Sequence, residues 1–471
     1  MHSFEELRKE YPQFVYRGFD YDICDGIISI SYDFEISGLE EFHPTWKIRY
    51  SDFIKDIADA HEYNELLKQD DTLKRMIFAL GMAELVSYWK ITCAPRVIVY
   101  AGHIDEKQEN WWKELYFNGL GEFFYRNGID TSFESFMSIE SDCKEADEHI
   151  AGGQSFIGER LNGALIPVGG GKDSIVSIKL LKQSDLKTKC FILNPRGATV
   201  NTTVVGGYGE EDVVVAKRTL DQNMLRLNSE GYLNGHTPFS AIVAFSSVIA
   251  AYVNGLEYVV LSNESSANES TVKGSTVNHQ YSKSFKFEQD FKNYEETYIG
   301  SNVKYFSLLR PLSEYQIAKY FAKCTDYHRI FRSCNVGSKK DIWCGHCAKC
   351  LFVCFILSPF LSQDYLKEIF GVDMLNDDEM IFIMNQLIGL EDEKPFECVG
   401  SRDEINLAIC QTIDKLKAEG RKLPLLLNKY IEEGFYERYG GQPDTFSSYY
   451  NAENYVPQPL LDIVIKNCID R

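Results

Sequence analysis

The residues best able to do chemistry stand in one run, Gly169-Gly170-Gly171-Lys172-Asp173-Ser174, set between the apolar Ala164–Val168 and a helix-patterned stretch. Consecutive glycines let backbone N–H groups turn toward one point that side chains would otherwise block. A helix starting directly afterwards adds the positive end of its dipole. Such a cradle suits a pyrophosphate: Lys172 supplies charge to the phosphates, Ser174 donates to a phosphate oxygen or caps the helix, and Asp173 is useful beside phosphate only with a cation, here Mg²⁺. The spacing is neither that of a Walker loop nor Gly-x-Gly-x-x-Gly.

A second cluster is made of sulfur. Cys344, Cys347 and Cys350 form two overlapping Cys-x-x-Cys steps, and Cys334 precedes them. Four thiolates suit tetrahedral, structural Zn²⁺. Cys344, Cys347, Cys350 and Cys354 also match a ferredoxin-type iron–sulfur run, but Phe355 stands where that run has Pro. Two ligand sets therefore compete, with Cys334 or Cys354 as the fourth thiol. Cys354 falls in an apolar helix pattern, where cysteine acts as a small hydrophobe, and His346 is read as facing solvent.

Polar residues also gather in Gly235-His236-Thr237-Pro238, where Thr237 reads as a helix cap with Pro238 at the first helical position. His236 there is a candidate for proton transfer. Ser262-Asn263-Glu264-Ser265-Ser266-Ala267-Asn268-Glu269 follows a predicted strand. It should reach the same rim as the glycine loop, with Glu264 and Glu269 as candidate acid–base or Mg²⁺ groups. Asn263 and Asn268 are candidate substrate contacts, joined by His279, Tyr281 and Lys283.

These residues need elements to hold them. Predicted strands Ala164–Val168, Cys190–Asn194, Glu257–Ser262 and Val303–Leu308 alternate with helices predicted over Ser174–Lys182, Val213–Leu227, Pro238–Val253 and Lys283–Tyr298. That rhythm predicts an α/β fold, a parallel sheet with helices on both faces, whose ligand sits beyond the strands' carboxyl ends. Residues 156–333 form this unit. Before it, 1–155 read as an α+β region with strands near 26–34, 45–50 and 97–100, a helix over 72–89 and core aromatics at 111–117. After it, 334–471 read as the cysteine cluster followed by helices, with Leu351–Leu357 apolar all round.

At 471 residues, 44% hydrophobic and 25% charged, the chain has the composition of a globular protein large enough to need no disulfide staples. Its net charge of −20 disfavours a nucleic-acid partner. No signal peptide is visible at the start, and the apolar stretches are too short to span a bilayer, so a cytoplasmic, non-membrane protein is expected.

The glycine run resembles the pyrophosphatase loop (PP-loop), Ser-Gly-Gly-x-Asp-Ser, with Gly169 in place of the first Ser. That likeness implies an adenine nucleotide alpha-hydrolase-like domain that cleaves ATP between the α and β phosphates and adenylates a carboxylate or carbonyl oxygen. Together with Gly119-Leu120-Gly121-Glu122-Phe123-Phe124-Tyr125, the Gly-His-Thr-Pro turn, the Ser-Asn-Glu-x-x-Ala-Asn-Glu loop and Cys-Gly-His-Cys-Ala-Lys-Cys-Leu-Phe-Val, it resembles the UDP-N-acetylmuramoyl-L-alanyl-L-glutamate epimerase family over about residues 20–370. The resemblance implies an ATP- and Mg²⁺-dependent inversion of the terminal L-Glu of a small UDP-muramoyl dipeptide, with Gly169–Ser174 holding ATP. It assigns no proton-transfer residue, so His236, Glu264, Glu269, His279 and Lys283 remain candidates. Other readings are an amide- or nitrile-forming ATP pyrophosphatase similar to 7-cyano-7-deazaguanine synthase, or a non-catalytic nucleotide sensor.

Overall fold

A computed structural model describes residues 2–51, 60–141, 157, 161–268 and 281–470. Its strands are β1 (Gln13–Cys24), β2 (Ile27–Ile36), β3 (Glu40–Phe42), β4 (Thr45–Arg49), β5 (Arg96–Val99), β6 (Ser138–Ser141), β7 (Ala164–Pro167), β8 (Thr188–Leu193), β9 (Val213–Thr219), β10 (Tyr258–Leu261) and β11 (Lys304–Ser307). All join one mixed sheet in the order β11-β10-β7-β8-β9-β4-β2-β1-β5-β6, with β3 paired to β2.

Half of this sheet, β11-β10-β7-β8-β9, is entirely parallel. Chain order starts in the middle at β7, runs outward through β8 and β9, then returns to the other side of β7 for β10 and β11. A crevice opens where the order reverses, at the carboxyl ends of β7 and β10. The strands are short apolar runs because both faces are covered. Leu165, Phe191 and Val259 join one hydrophobic cluster, while Ala164, Ile166, Ile192 and Val260 join the other. The Phe239–Tyr252 helix packs into the first cluster, and the Lys172–Leu181, Glu314–Phe321 and Ala348–Leu357 helices into the second.

The N-terminal half continues the same sheet. Its strand β4 pairs antiparallel with β9, placing Trp46 opposite Arg218. The long Asp71–Trp89 helix covers it, capped by Asp70, whose carboxylate accepts from Leu73 N–H at 2.9 Å. The other carboxylate oxygen accepts from Tyr252 Oη at 2.6 Å, which ties this helix to the one that lines the crevice.

One predicted element is corrected. Val213–Leu227 is not a helix: Val213–Thr219 is strand β9, and the helix begins only at Gln222, where Asp221 accepts from Asn223 N–H at 2.8 Å. The apolar Val-Val-Val-Ala run fits a buried strand as well as a helix. A smaller correction concerns the helix after His236. It starts at Phe239, with Pro238 at the cap position and no side-chain cap.

Candidate active site

A cleft of about 530 Å³ lies at the strand-order reversal. Its floor is the glycine loop. Gly170 has φ +77°, a left-handed conformation, and a Cβ there would meet the Ala198 carbonyl carbon at 2.9 Å. Gly171 passes close to Ser333, whose Oγ would lie 2.7 Å from an added Cβ. Gly169 is different: an added Cβ meets nothing within 4 Å. The loop is pinned from outside, where Arg332 N–H donates to the Gly170 carbonyl at 2.8 Å and Arg196 Nη2 to that of Gly169 at 2.9 Å. Gly171 caps the Lys172–Leu181 helix with no side chain, leaving its first N–H groups for a ligand. Ser174 Oγ donates back to the Gly171 carbonyl at 3.1 Å.

Lys172 is placed differently from its expected role. Its side chain is 1% exposed and does not itself line the cleft; its ammonium pairs with Asp173 and Glu314, both of which do. Burial disfavours its charge, but Asp173 and Glu314 outweigh burial and hold its pKa above the ordinary lysine value. Asp173 faces the cleft. Burial pushes its pKa up, yet Lys172, Lys349 and Lys283 together bring it below the usual aspartate value, so it is an anionic oxygen donor. Burial raises Glu314, with Asp173 and Glu264 adding to the rise against the pull of Lys172.

The opposite wall comes from the turn after β10. Asn263 Nδ2 donates to Ser307 Oγ at 3.2 Å, and buried Glu264 accepts from Ser266 Oγ at 3.0 Å. Fully buried Arg310 organises this wall. It donates to the carbonyls of Glu264 and Lys283, both at 2.6 Å, and to the Glu288 carboxylate at 3.1 Å. Lys283 Nζ reaches into the cleft and donates to Cys398 Sγ at 2.9 Å. Burial opposes the charge on Lys283, but Cys398, then Glu264 and Asp173, raise its pKa.

Asn263, Glu264, Lys283, Asp173, Ser174 and the loop glycines thus converge. Asn268 closes the short turn at 265–268, and Glu269 and His279 lie outside the described residues. Tyr281 does not line the cleft; its hydroxyl donates to Asp290 at 3.4 Å. His236 is also off the lining, with Nδ1 3.8 Å from Glu122. Its turn packs on the Gly119–Tyr125 segment: a Cβ at Gly119 would meet Pro238 at 2.6 Å, and one at Gly235 would meet the Phe123 ring at 3.0 Å.

Glu314, Arg310, Arg332 and Cys398 carry no motif; Lys349 stands inside the Cys-Ala-Lys-Cys run, whose spacing points to metal and not to the cleft. Arg310 and Glu314 do follow β11, so the rule that selected Asn263 and Glu264, position just past a parallel strand, could have found them.

The cysteine centre lies against this cleft. The Sγ atoms of Cys334, Cys344, Cys347 and Cys350 all fall within 4.8 Å of one another. Cys334 Sγ accepts N–H bonds from Gly337 at 3.0 Å and Cys344 at 3.4 Å. The side-chain hydrogen bond between Cys347 and Cys350, with the two sulfurs 3.5 Å apart, brings the Cys347 thiol down to about 5, against burial. A closed set of four thiols with anion-stabilising N–H groups fits a tetrahedral metal such as structural Zn²⁺. Cys354 is buried on the Ala348–Leu357 helix and is not part of the group, and His346 is exposed. Among the described residues no helix is long and apolar enough to cross a membrane.

Strand order, glycine loop and uncapped helix together define a doubly wound α/β protein with a glycine loop and a bare helix N-terminus at its switch point. The family profile described as the MurL N-terminal domain matches residues 5–308, and that of the MurL C-terminal domain matches residues 329–432. Three curated relatives are named UDP-N-acetyl-alpha-D-muramoyl-L-alanyl-L-glutamate epimerase. The one from Xanthomonas oryzae pv. oryzae is 35% identical over 333 residues, covering 69% of this chain and 71% of the relative. Those from Salinispora tropica and a Micromonospora species are each 32% identical, covering 86% of this chain and 85% and 87% of the relatives. No solved structure matches the chain significantly. The chain belongs to this family of epimerases.

Proposed function

We propose that this chain is a cytoplasmic, ATP- and Mg²⁺-dependent epimerase that inverts the terminal L-Glu of UDP-N-acetylmuramoyl-L-alanyl-L-glutamate for peptidoglycan precursor synthesis. The observation that carries the reading is the glycine loop, which opens an uncapped helix N-terminus into the cleft at the β7/β10 reversal. Its bare N–H groups suit a phosphate chain, and the fold is then a PP-loop domain. The space at Gly169 accommodates the serine that the loop signature carries there.

The chemistry accounts for the parts. An α-proton beside a free carboxylate is very weakly acidic, because its removal builds a dianion. Adenylating that carboxylate, with release of pyrophosphate, cancels its charge and permits an enolate. Asp173, turned to the cleft and kept anionic by Lys172, is the residue to hold Mg²⁺. Mg²⁺ bound there would neutralise phosphate charge. Lys283 and Lys349 bring positive charge to the cleft, where an anionic substrate must sit. Deprotonation, reprotonation on the other face and hydrolysis then give the D-Glu product and AMP.

The test is incubation in D₂O with ATP, Mg²⁺ and the UDP-muramoyl-L-Ala-L-Glu substrate. The D-Glu product should carry deuterium at its α-carbon, with AMP and pyrophosphate formed alongside. Without ATP neither inversion nor exchange should occur. Inversion without ATP, or a new amide product without α-exchange, overturns the reading.

A further inference from the structure

Among the described residues, Cys398 is the cysteine that lines the cleft, and it is partly open to it. It is not an isolated thiol. Lys283 Nζ sits 2.9 Å from its sulfur. Its backbone is clamped to the cysteine centre: Lys349 Nζ donates to the Cys398 carbonyl, and Lys349 N–H donates to Glu397 at 2.8 Å. Lys349 lies between Cys347 and Cys350, so the centre fixes the strap that carries Cys398. On the other side, Arg310 holds the Lys283 carbonyl at 2.6 Å. A thiol and an ammonium are therefore brought together from separate elements, each anchored by its own buried support, and both face the glycine loop.

From this geometry we infer that Cys398, paired with Lys283, is the group that moves the α-proton on one face of the glutamate; the inference rests on the proposed epimerase reading. In the step, the Cα–H bond breaks, the proton passes to Cys398 Sγ, and the electron pair enters the adenylated carboxyl group as an enolate. Lys283 Nζ, hydrogen-bonded to the sulfur, is placed to balance its charge when it acts as the base. A second proton donor of the cleft, in exchange with water, then forms the new C–H bond on the opposite face. A sulfur base suits this task because the Lys283 ammonium, 2.9 Å away, can balance the charge of a thiolate, and sulfur is weakly hydrated.

The test compares wild type with Cys398→Ala, Cys398→Ser and Lys283→Met, reading two quantities in each sample: α-deuterium incorporation and AMP formed from ATP. The ratio of α-exchange to AMP should fall ~10²-fold or more in Cys398→Ala, in keeping with the loss of a general base. Cys398→Ser and Lys283→Met should show the same imbalance. An unaltered ratio in Cys398→Ala overturns the assignment. If Cys398→Ala does not fold, wild type treated with iodoacetamide serves instead. Mass spectrometry should then find Cys398 alkylated and the ratio lowered, with ATP and substrate protecting it; alkylated Cys398 with full α-exchange overturns the inference. If wild type inverts with no AMP at all, the adenylation reading fails, and α-exchange per enzyme still decides Cys398.

Discussion

Lys172 and Glu314 pair at the side of the cleft from positions 142 residues apart, with side chains only 1% and 4% exposed. The contact locks the first turn of the loop's helix to the Glu314–Phe321 helix, and the same ammonium holds Asp173 at the cleft. Removing the cation leaves two carboxylates without it. Lys172→Met should therefore lose roughly 3–5 kcal/mol, the usual cost of breaking a buried pair from one side. Urea unfolding measures it, and a loss under 1 kcal/mol would refute the structural role.

Asp173→Asn keeps the shape of the side chain and removes its charge. It should leave the fold intact and lower AMP release at least ~10²-fold, the scale of an electrostatic or metal contribution. Near-wild-type AMP release by a folded variant would remove Asp173 from the Mg²⁺ site.

The three loop glycines should respond differently. Gly169→Ser enters open space and should change stability by no more than ~0.5 kcal/mol, as at an unconstrained site. Gly170→Ala puts a Cβ on a residue at φ +77°, 2.9 Å from backbone, and should cost ~1–3 kcal/mol and most ATP turnover. Gly171→Ala meets only the movable Ser333 hydroxyl and should fall between them. Thermal melts with an AMP assay order the series.

Purified protein should contain about one zinc per chain. Cys334→Ser and Cys347→Ser should lose metal and melting temperature together, while Cys354→Ser keeps its zinc, because Cys354 lies outside the thiol group. Elemental analysis decides; iron with sulfide, or full zinc in Cys334→Ser, contradicts the assignment.

His328 supplies a pH prediction. It is fully buried, its ring nitrogens 3.1 Å from the Phe321 carbonyl and 3.2 Å from Tyr365 Oη, and burial lowers its pKa below the ordinary 6.5. The unfolded chain then binds the proton more readily, so stability held above pH 6.5 is lost as pH falls below it. His328→Gln should flatten that slope by at most about 1.4 kcal/mol per pH unit, one proton's worth. An unaltered slope between pH 7 and 5 would count against it.

The parts of the fold written in local pattern could be read without coordinates. Strands β7, β8, β10 and β11 were legible because burial on both faces demands apolar runs, and the loop because glycines between strand and helix have few other uses. Cysteine spacing alone leaves Cys334 and Cys354 in competition; the fold brings Cys334 to the other thiols and buries Cys354 outside the group. Strand β9 was misread because Val213–Ala216 satisfies either periodicity, and only the Asp221 cap marks the break. Lys172 was assigned to phosphate by its type, yet its direction is set by Glu314, which no local pattern announces. Arg310 and Cys398 act through partners far off in sequence, so their roles exist only in the folded chain.

The antiparallel seam between β4 and β9 makes the parallel half of the sheet dependent on the N-terminal half. Cut from residues 1–155, the parallel sheet would present β9, from Val213 to Thr219, as a raw edge of unpaired N–H and C=O groups, open to any other strand. The excised core should therefore self-associate, and the intact chain should unfold through the seam as one cooperative body. An isolated fragment carrying only the parallel sheet is thus the wrong object on which to test the proposed ATP binding.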